Sequence, residues 1–380
     1  MKIGIITYWW SNDNYGQQLQ CYALQKYLRD AGHDAYLIRY NKDIDNEYTP
    51  TPIRKKILKA FNPVRLYSYL LNKKRALATT GESKKNYKRK FDEFRNKYIK
   101  QSEKIYYYYD ELKENPPEAE MYIAGSDQIW NPDIFRAIER QARAYFLDFG
   151  NPSTKRISYA ASFCKEKLDD EFINIITPLL KKFDYVSVRE ESGLNACKQC
   201  GIDNAEWVPD PTMLLAADAY RTIYKDEPLK RQDKPYCFLY FVKHECDFSF
   251  QALYDWAKKN NLEVVYVSAN LQLDKYEKIY ATIPEWIYLL EHAEYVITNS
   301  YHCSVFSLMF KKNFGVIPLS KEKELNTRFD ALFELFRIEK RFVNNSDFSI
   351  SETDIDWSSV LNVFQDIRKN CKLLDFVNSK

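Results

Sequence analysis

Glycine is scarce in this chain, with 9 among 380 residues, and the shortage excludes whole classes of phosphate site. The loop after the first predicted strand has a single glycine, Gly16, so the dinucleotide fingerprint G-x-G-x-x-G is missing, and no Walker A lysine loop occurs. A nucleotide-cofactor dehydrogenase and a P-loop NTPase are both disfavoured. Long apolar runs are missing as well: no segment reaches the roughly 20 residues of a membrane span. The opening MKIGIITYWW is too short for a signal peptide and has no small-residue cleavage site. A soluble, cytoplasmic protein is the expectation. The 8 cysteines are dispersed rather than packed into a framework, which reads as reduced thiols. Cys197 and Cys200 make one C-x-x-C with no partner pair at zinc spacing, so no metal is expected. Histidine is rarer still, with 4 in the chain.

What is plentiful is packing material. Apolar residues make up 45% and aromatics 16%, enough for packed interiors and contrary to disorder. A chain of 380 residues exceeds one ordinary core, so two domains are expected. Net charge is only +3, yet Ile53 to Lys100 holds 16 Lys or Arg against 3 Asp or Glu, leaving the remainder acidic. That stretch reads as basic helices with Ile53, Ile57, Leu58 and Phe61 on one side. A solvated face is its plain interpretation; an anionic membrane surface or polymer is the alternative, and no nucleic acid is expected.

The apolar run Lys2 to Tyr8, a helix over Gln17 to Leu28 and a strand over Asp34 to Tyr40 form a βαβ unit, which points to a doubly wound α/β layer. Strands are also predicted at Glu120–Ala124, Tyr145–Asp148, Arg156–Ala160 and Asp184–Val188, with the next predicted strand after Tyr40 placed at Glu120. Three strand ends then present polar groups: Asn14, Tyr15 and Gly16; Ser126, Asp127 and Gln128; and Arg189 to Ser192. Such convergence at the carboxyl edge of a sheet is how a ligand cleft looks in sequence. Capping explains Asp127 or Ser192 without function. Arg189 follows a buried-looking strand and needs an anionic partner. After AEWVPDPT a second α/β set begins, with strands at Tyr236–Val242, Glu263–Ser268, Glu294–Ile297 and Phe314–Pro318. The expected organisation is an N-terminal domain over 1–206, a C-terminal domain over 207–356, and a final helix within 357–380 that crosses back. Within the second set, EYVITNSYHCSVFSLMF reads as strand, sharp turn and helix, with His302 in the helix's first turn beside Asn299, Ser300 and Tyr301. Histidine is the side chain whose unperturbed pKa lies near neutrality, and the unpaired N–H groups of a helix start suit an anion. The plain alternative is a histidine that bonds only its own turn.

Taken together, NDNYGQQLQCYALQKYL, IAGSDQIWNP, VSVREESG, DPTMLL and TNSYHCSVFSLMF resemble the polysaccharide pyruvyl transferase family from Lys2 to about Phe336. The resemblance implies two Rossmann-like domains facing a cleft, as in GT-B glycosyltransferases. It implies phosphoenolpyruvate as donor substrate, no further cofactor, and a sugar of a bacterial surface polysaccharide or its lipid-linked repeat unit as acceptor. The reaction would turn two sugar hydroxyls into a cyclic pyruvate ketal and release phosphate. His302 matches the family's histidine and Arg189 its first-domain arginine, both implied as catalytic. Asn299, Ser300, Tyr301, Ser126 and Asp127 are then the expected donor contacts, and Asn14, Tyr15, Gly16 and Gln128 the acceptor side. Some relatives carry arginine two residues before the histidine, where this chain has Ser300. Two alternatives stay open: a sugar-nucleotide glycosyltransferase, and a non-catalytic glycan-binding protein using some of the 30 tyrosines and 7 tryptophans.

Overall fold

The computed structural model describes residues 1–42, 86–135, 138–229, 232–242, 248–269, 274–319, 326–343 and 347–379. Ile53, Ile57, Leu58 and Phe61 of the basic stretch lie outside the described residues. The first layer is a parallel sheet of β1 (Lys2–Ile6), β2 (Asp34–Tyr40), β3 (Gln101–Tyr106), β4 (Met121–Ala124) and β5 (Lys155–Ser158), in the order β3-β2-β1-β4-β5. Strands β1 and β4 are apolar and buried almost throughout because helices cover both faces of the sheet. A short parallel pair, β6 (Ser187–Val188) and β7 (Glu206–Trp207), continues the layer through bridges from Ile157 to Tyr185 and from Ala161 to Val188. The second layer contains β8 (Tyr236–Phe241), β9 (Glu263–Ser268), β10 (Tyr295–Thr298) and β11 (Asn313–Val316), ordered β11-β10-β8-β9 and again parallel.

The structure departs from the sequence reading at two elements. Gln101–Tyr106 is an edge strand, missed because QSEKIY is polar; one of its faces meets water, with a burial pattern of buried and exposed residues mixed. Tyr145–Asp148 is not a strand. Tyr145 ends the helix Ile138–Tyr145, and Leu147 turns the chain at φ 57°. The apolar run is explained by burial of Tyr145, Phe146 and Leu147 in the core, not by a pleat.

Helices and one tyrosine join the layers away from the site. Tyr15, at the start of the helix Tyr15–Asp30, is fully buried, donates its hydroxyl to the Ala281 carbonyl at 2.6 Å and stacks on Trp286 at 5.4 Å. The helix Trp357–Lys369 packs on the helix Thr327–Phe336 through Phe364 and Phe336, 4.7 Å apart. The last helix, Leu373–Asn378, returns to the first layer: Leu373 and Val377 enter the core around Ile3, Ile5 and Met121, and Phe376 stacks on Tyr185 at 3.7 Å. Tyr15 lies in the joint between the layers, so its replacement reads the strength of that joint. Tyr15→Ala should cost about 3–5 kcal/mol of stability in urea denaturation. Tyr15→Phe should cost only about 1–2 kcal/mol, because the ring stays and one carbonyl loses its donor.

Candidate functional site

The strand β10 ends at Thr298, whose hydroxyl accepts from the Ser300 N–H at 3.0 Å, and this bond sets the sharp turn. Ser300 caps the helix Tyr301–Met309, accepting from the Cys303 N–H at 3.3 Å. The Asn299 side chain accepts from the Val242 N–H at 2.7 Å, tying the turn to the end of β8. His302 is thereby held in the first turn, one of nine buried residues of that helix. From the first layer comes the start of the helix Tyr15–Asp30, capped by Asn14, which accepts from the Gln17 N–H at 3.2 Å. Gly16 lies directly against the imidazole: a Cβ there would come within 2.4 Å of His302 Nδ1. The glycine is required by this approach of backbone to ring, and a methyl group would push the histidine from its place.

At the centre stands Asp210, a fully buried carboxylate in the linker between the layers. Its Oδ1 accepts from the Thr212 hydroxyl at 2.7 Å and the Thr212 N–H at 3.0 Å. Its Oδ2 receives Ser126 Oγ at 2.9 Å, Arg189 Nη1 at 3.2 Å and His302 Nε2 at 3.3 Å. Burial alone would raise its pKa; the charges and donors of His302, Arg189 and Thr212 outweigh that and hold the carboxyl well below its ordinary range. Arg189 is also buried, with Nε 3.7 Å from Glu190 Oε2 and its guanidinium 5.2 Å over the Tyr301 ring.

A cavity of about 180 Å³ opens in front of this cluster. Asn14, Asp127, Gln128, Arg189, Asn299, Ser300, Tyr301 and His302 all line it, so one space gathers eight of the eleven residues singled out in the sequence. The other three do not face it. Tyr15 belongs to the core joint, because its hydroxyl and ring are both occupied there. Gly16 acts only as the floor beneath His302, and Ser126 is buried with its hydroxyl committed to Asp210. Asp127 sits at φ 79° and accepts from the Gln128 N–H at 2.8 Å. A carboxylate there suits a sugar hydroxyl better than a phosphate.

Two residues of the cluster have no role in the sequence reading. Asp210 lies between two prolines in AEWVPDPT, and that confinement of a carboxylate in a linker is the signal that could have marked it. Arg328, from the helix Thr327–Phe336, also lines the cavity. It makes no ion pair among the described residues, its Nε has no hydrogen-bond partner, and burial pushes its pKa down from the usual guanidinium value. Nothing local in the sequence connects it to the site; the second layer's packing brings it in. Among the described residues no group of three His, Cys, Asp or Glu side chains is placed to hold a metal ion.

Two parallel α/β layers that meet around such a cavity define the GT-B-like architecture. The family described as polysaccharide pyruvyl transferase matches residues 14–320, and the chain belongs to that family of transferases. No curated protein matches the chain significantly in sequence. The UDP-GlcNAc 2-epimerase of Neisseria meningitidis bound to UDP-GlcNAc is similar at TM-score 0.45 and 11% identity, over 99% of this chain and 100% of that one. The glycosyltransferase SnogD of Streptomyces nogalater is similar at TM-score 0.41 and 10% identity, over 97% and 94%. No helix among the described residues is long and apolar enough to cross a membrane.

Removing the Asp210 charge takes from the buried Arg189 the closer of its two carboxylate partners. Asp210→Asn should therefore cost about 3–5 kcal/mol in chemical denaturation at neutral pH. The carboxyl's folded pKa is depressed, so its contribution is present above the unfolded value of about 3.9 and is lost as pH falls through the lower folded value. The gap between wild type and Asp210→Asn should accordingly shrink in acid. An unchanged gap at low pH would show that the charge is not what stabilises the cluster.

Proposed function

We propose that the chain moves pyruvate from phosphoenolpyruvate to a sugar of a bacterial surface polysaccharide, or of its lipid-linked repeat unit, and closes a cyclic ketal. The observation that carries this reading is Arg328, a guanidinium lining the cavity that makes no ion pair among the described residues, although Asp127 shares the space and acts on it through space. Arg189 is already committed to Asp210 and Glu190. A half-buried arginine in that state favours an anionic ligand, and the helix beginning at Tyr301 adds its first N–H groups and dipole. Arg328 supplies from another helix the charge that some relatives place at position 300. A donor with both a carboxylate and a phosphate fits two arginines and a helix start.

The chemistry requires a proton on the enol carbon of the donor, which becomes a methyl group, and positive charge at the adjacent carbon. One sugar hydroxyl adds there and loses its proton, phosphate leaves with its bridging oxygen, and a second hydroxyl closes the ketal and loses its proton. Of the two hydroxyl protons, one balances the methyl and one leaves with phosphate. His302 is the group suited to carrying them. Asp210 Oδ2 lies 3.3 Å from Nε2 and holds the ring's orientation, as the carboxylate of a catalytic triad does for its histidine. Nδ1 then lies on the Gly16 side, and Asp127, with Gln128 beside it, lines the same cavity and suits the acceptor hydroxyls.

His302→Asn should lower turnover about 100-fold or more without unfolding the protein. Arg328→Ala should abolish the thermal stabilisation given by phosphoenolpyruvate, and Arg189→Lys should weaken it, because a lysine loses the two-pronged geometry. Stabilisation by a nucleotide sugar and none by phosphoenolpyruvate would overturn the donor assignment.

The basic stretch suggests where the acceptor is met. Apart from Arg89 and Arg95, which are buried in the fold, its basic residues suit an anionic bilayer carrying a lipid-linked acceptor, each basic group near the surface contributing about 1 kcal/mol. Peripheral, salt-sensitive binding to anionic vesicles is expected. It should weaken when Lys55, Lys56, Lys59, Lys73, Lys74 and Arg75 become Gln, with activity on a short soluble acceptor unchanged. Co-sedimentation at low and high salt tests this, and binding indifferent to the six replacements returns the stretch to a solvated face.

A further inference from the structure

The hinge between the layers carries a second groove, of about 460 Å³, outside the cavity of the candidate site. Its wall is the linker itself, led by Trp207, which is 42% exposed although tryptophan is ordinarily well buried. The indole is fixed in place: Nε1 donates to the Arg189 carbonyl at 2.8 Å. A large flat apolar face is thus held open to water at no further ordering cost to a ligand. Leu335 and Ile367 continue the apolar surface, and Arg337, Asp366 and Asn370 supply polar groups. Neither Arg337 nor Asp366 makes an ion pair among the described residues, whereas Glu206 and Lys372, also lining the groove, pair at 3.1 Å. Positive and negative charges cancel, so the lining suits a neutral ligand rich in hydrogen-bonding groups.

We propose that this hinge groove binds a neutral saccharide segment, with a sugar ring on the Trp207 indole and hydroxyls on Arg337, Asp366 and Asn370. The saccharide class follows from the groove's chemistry together with membership of a family that acts on polysaccharide, and does not rest on the donor being phosphoenolpyruvate. Trp207 also walls a small cavity with Arg189, Tyr301 and Arg328, so the occupant lies one indole away from the candidate site. A polymer held at the hinge keeps its other units near the cleft and raises their local concentration.

Isothermal titration of the full chain with the linear hexasaccharides of glucose, galactose, mannose and N-acetylglucosamine, up to about 10 mM, tests the assignment. At least one should bind. Trp207→Ala and the Arg337→Ala/Asp366→Ala double variant should each weaken that binding about tenfold or more, a change of about 1.4 kcal/mol. Trp207→Phe, which keeps a stacking face, should retain most of it and serves if the alanine variant does not fold. His302→Asn and Arg328→Ala should bind the saccharide as wild type does. Binding of none of the four, or equal binding by wild type and the rim double variant, overturns the proposal. Loss of stabilisation by phosphoenolpyruvate with saccharide binding intact would instead count against the donor reading alone.

Discussion

A carboxylate with no access to water has to be answered by the protein, and in this molecule the answer to Asp210 organises the site. Its two oxygens receive donors from four parts of the chain: Ser126 after β4, Arg189 after β6, Thr212 in the linker, and His302 at the start of a second-layer helix. Three of these groups belong to the first layer or the linker and one to the second. The charge is therefore satisfied only when the layers are docked. Removing any one donor leaves the rest of a buried network short, which makes the positions of Arg189 and His302 interdependent.

The two arginines of the cavity differ because of that carboxylate. Arg189 is balanced within the protein by Asp210 and Glu190, and its guanidinium also lies over Tyr301. Arg328 makes no ion pair among the described residues, and its partial burial makes the charge costly. One arginine is therefore a fixed part of the scaffold and the other is the group with most to gain from a bound anion. Gly16 completes the arrangement from below, where only a hydrogen atom fits against the imidazole. Scarce glycine is spent on a contact between layers rather than on a phosphate loop.

Much of this was legible as a pattern along the chain. Apolar runs broken by polar tips gave the parallel layers and their carboxyl edges, because a buried parallel strand must be apolar throughout while its end faces the cleft. The polar break after an apolar run placed His302 in a helix's first turn, and Ser300 is the residue that caps that helix. Gln101–Tyr106 was illegible for the opposite reason: an edge strand with one face in water has no need of an apolar run.

What the sequence by itself determined is local: where most of the strands lie, where their polar ends fall, and which histidine starts a helix. Periodicity and capping act over a few residues, so they are written in neighbouring letters. Only the tertiary structure decided that Ser126 supports a carboxylate instead of facing the cavity, that Tyr15 belongs to the joint, and that Arg328 reaches the site. Those outcomes depend on which groups from distant segments share one buried volume. A charge that cannot reach water selects its partners by proximity in space, irrespective of separation along the chain.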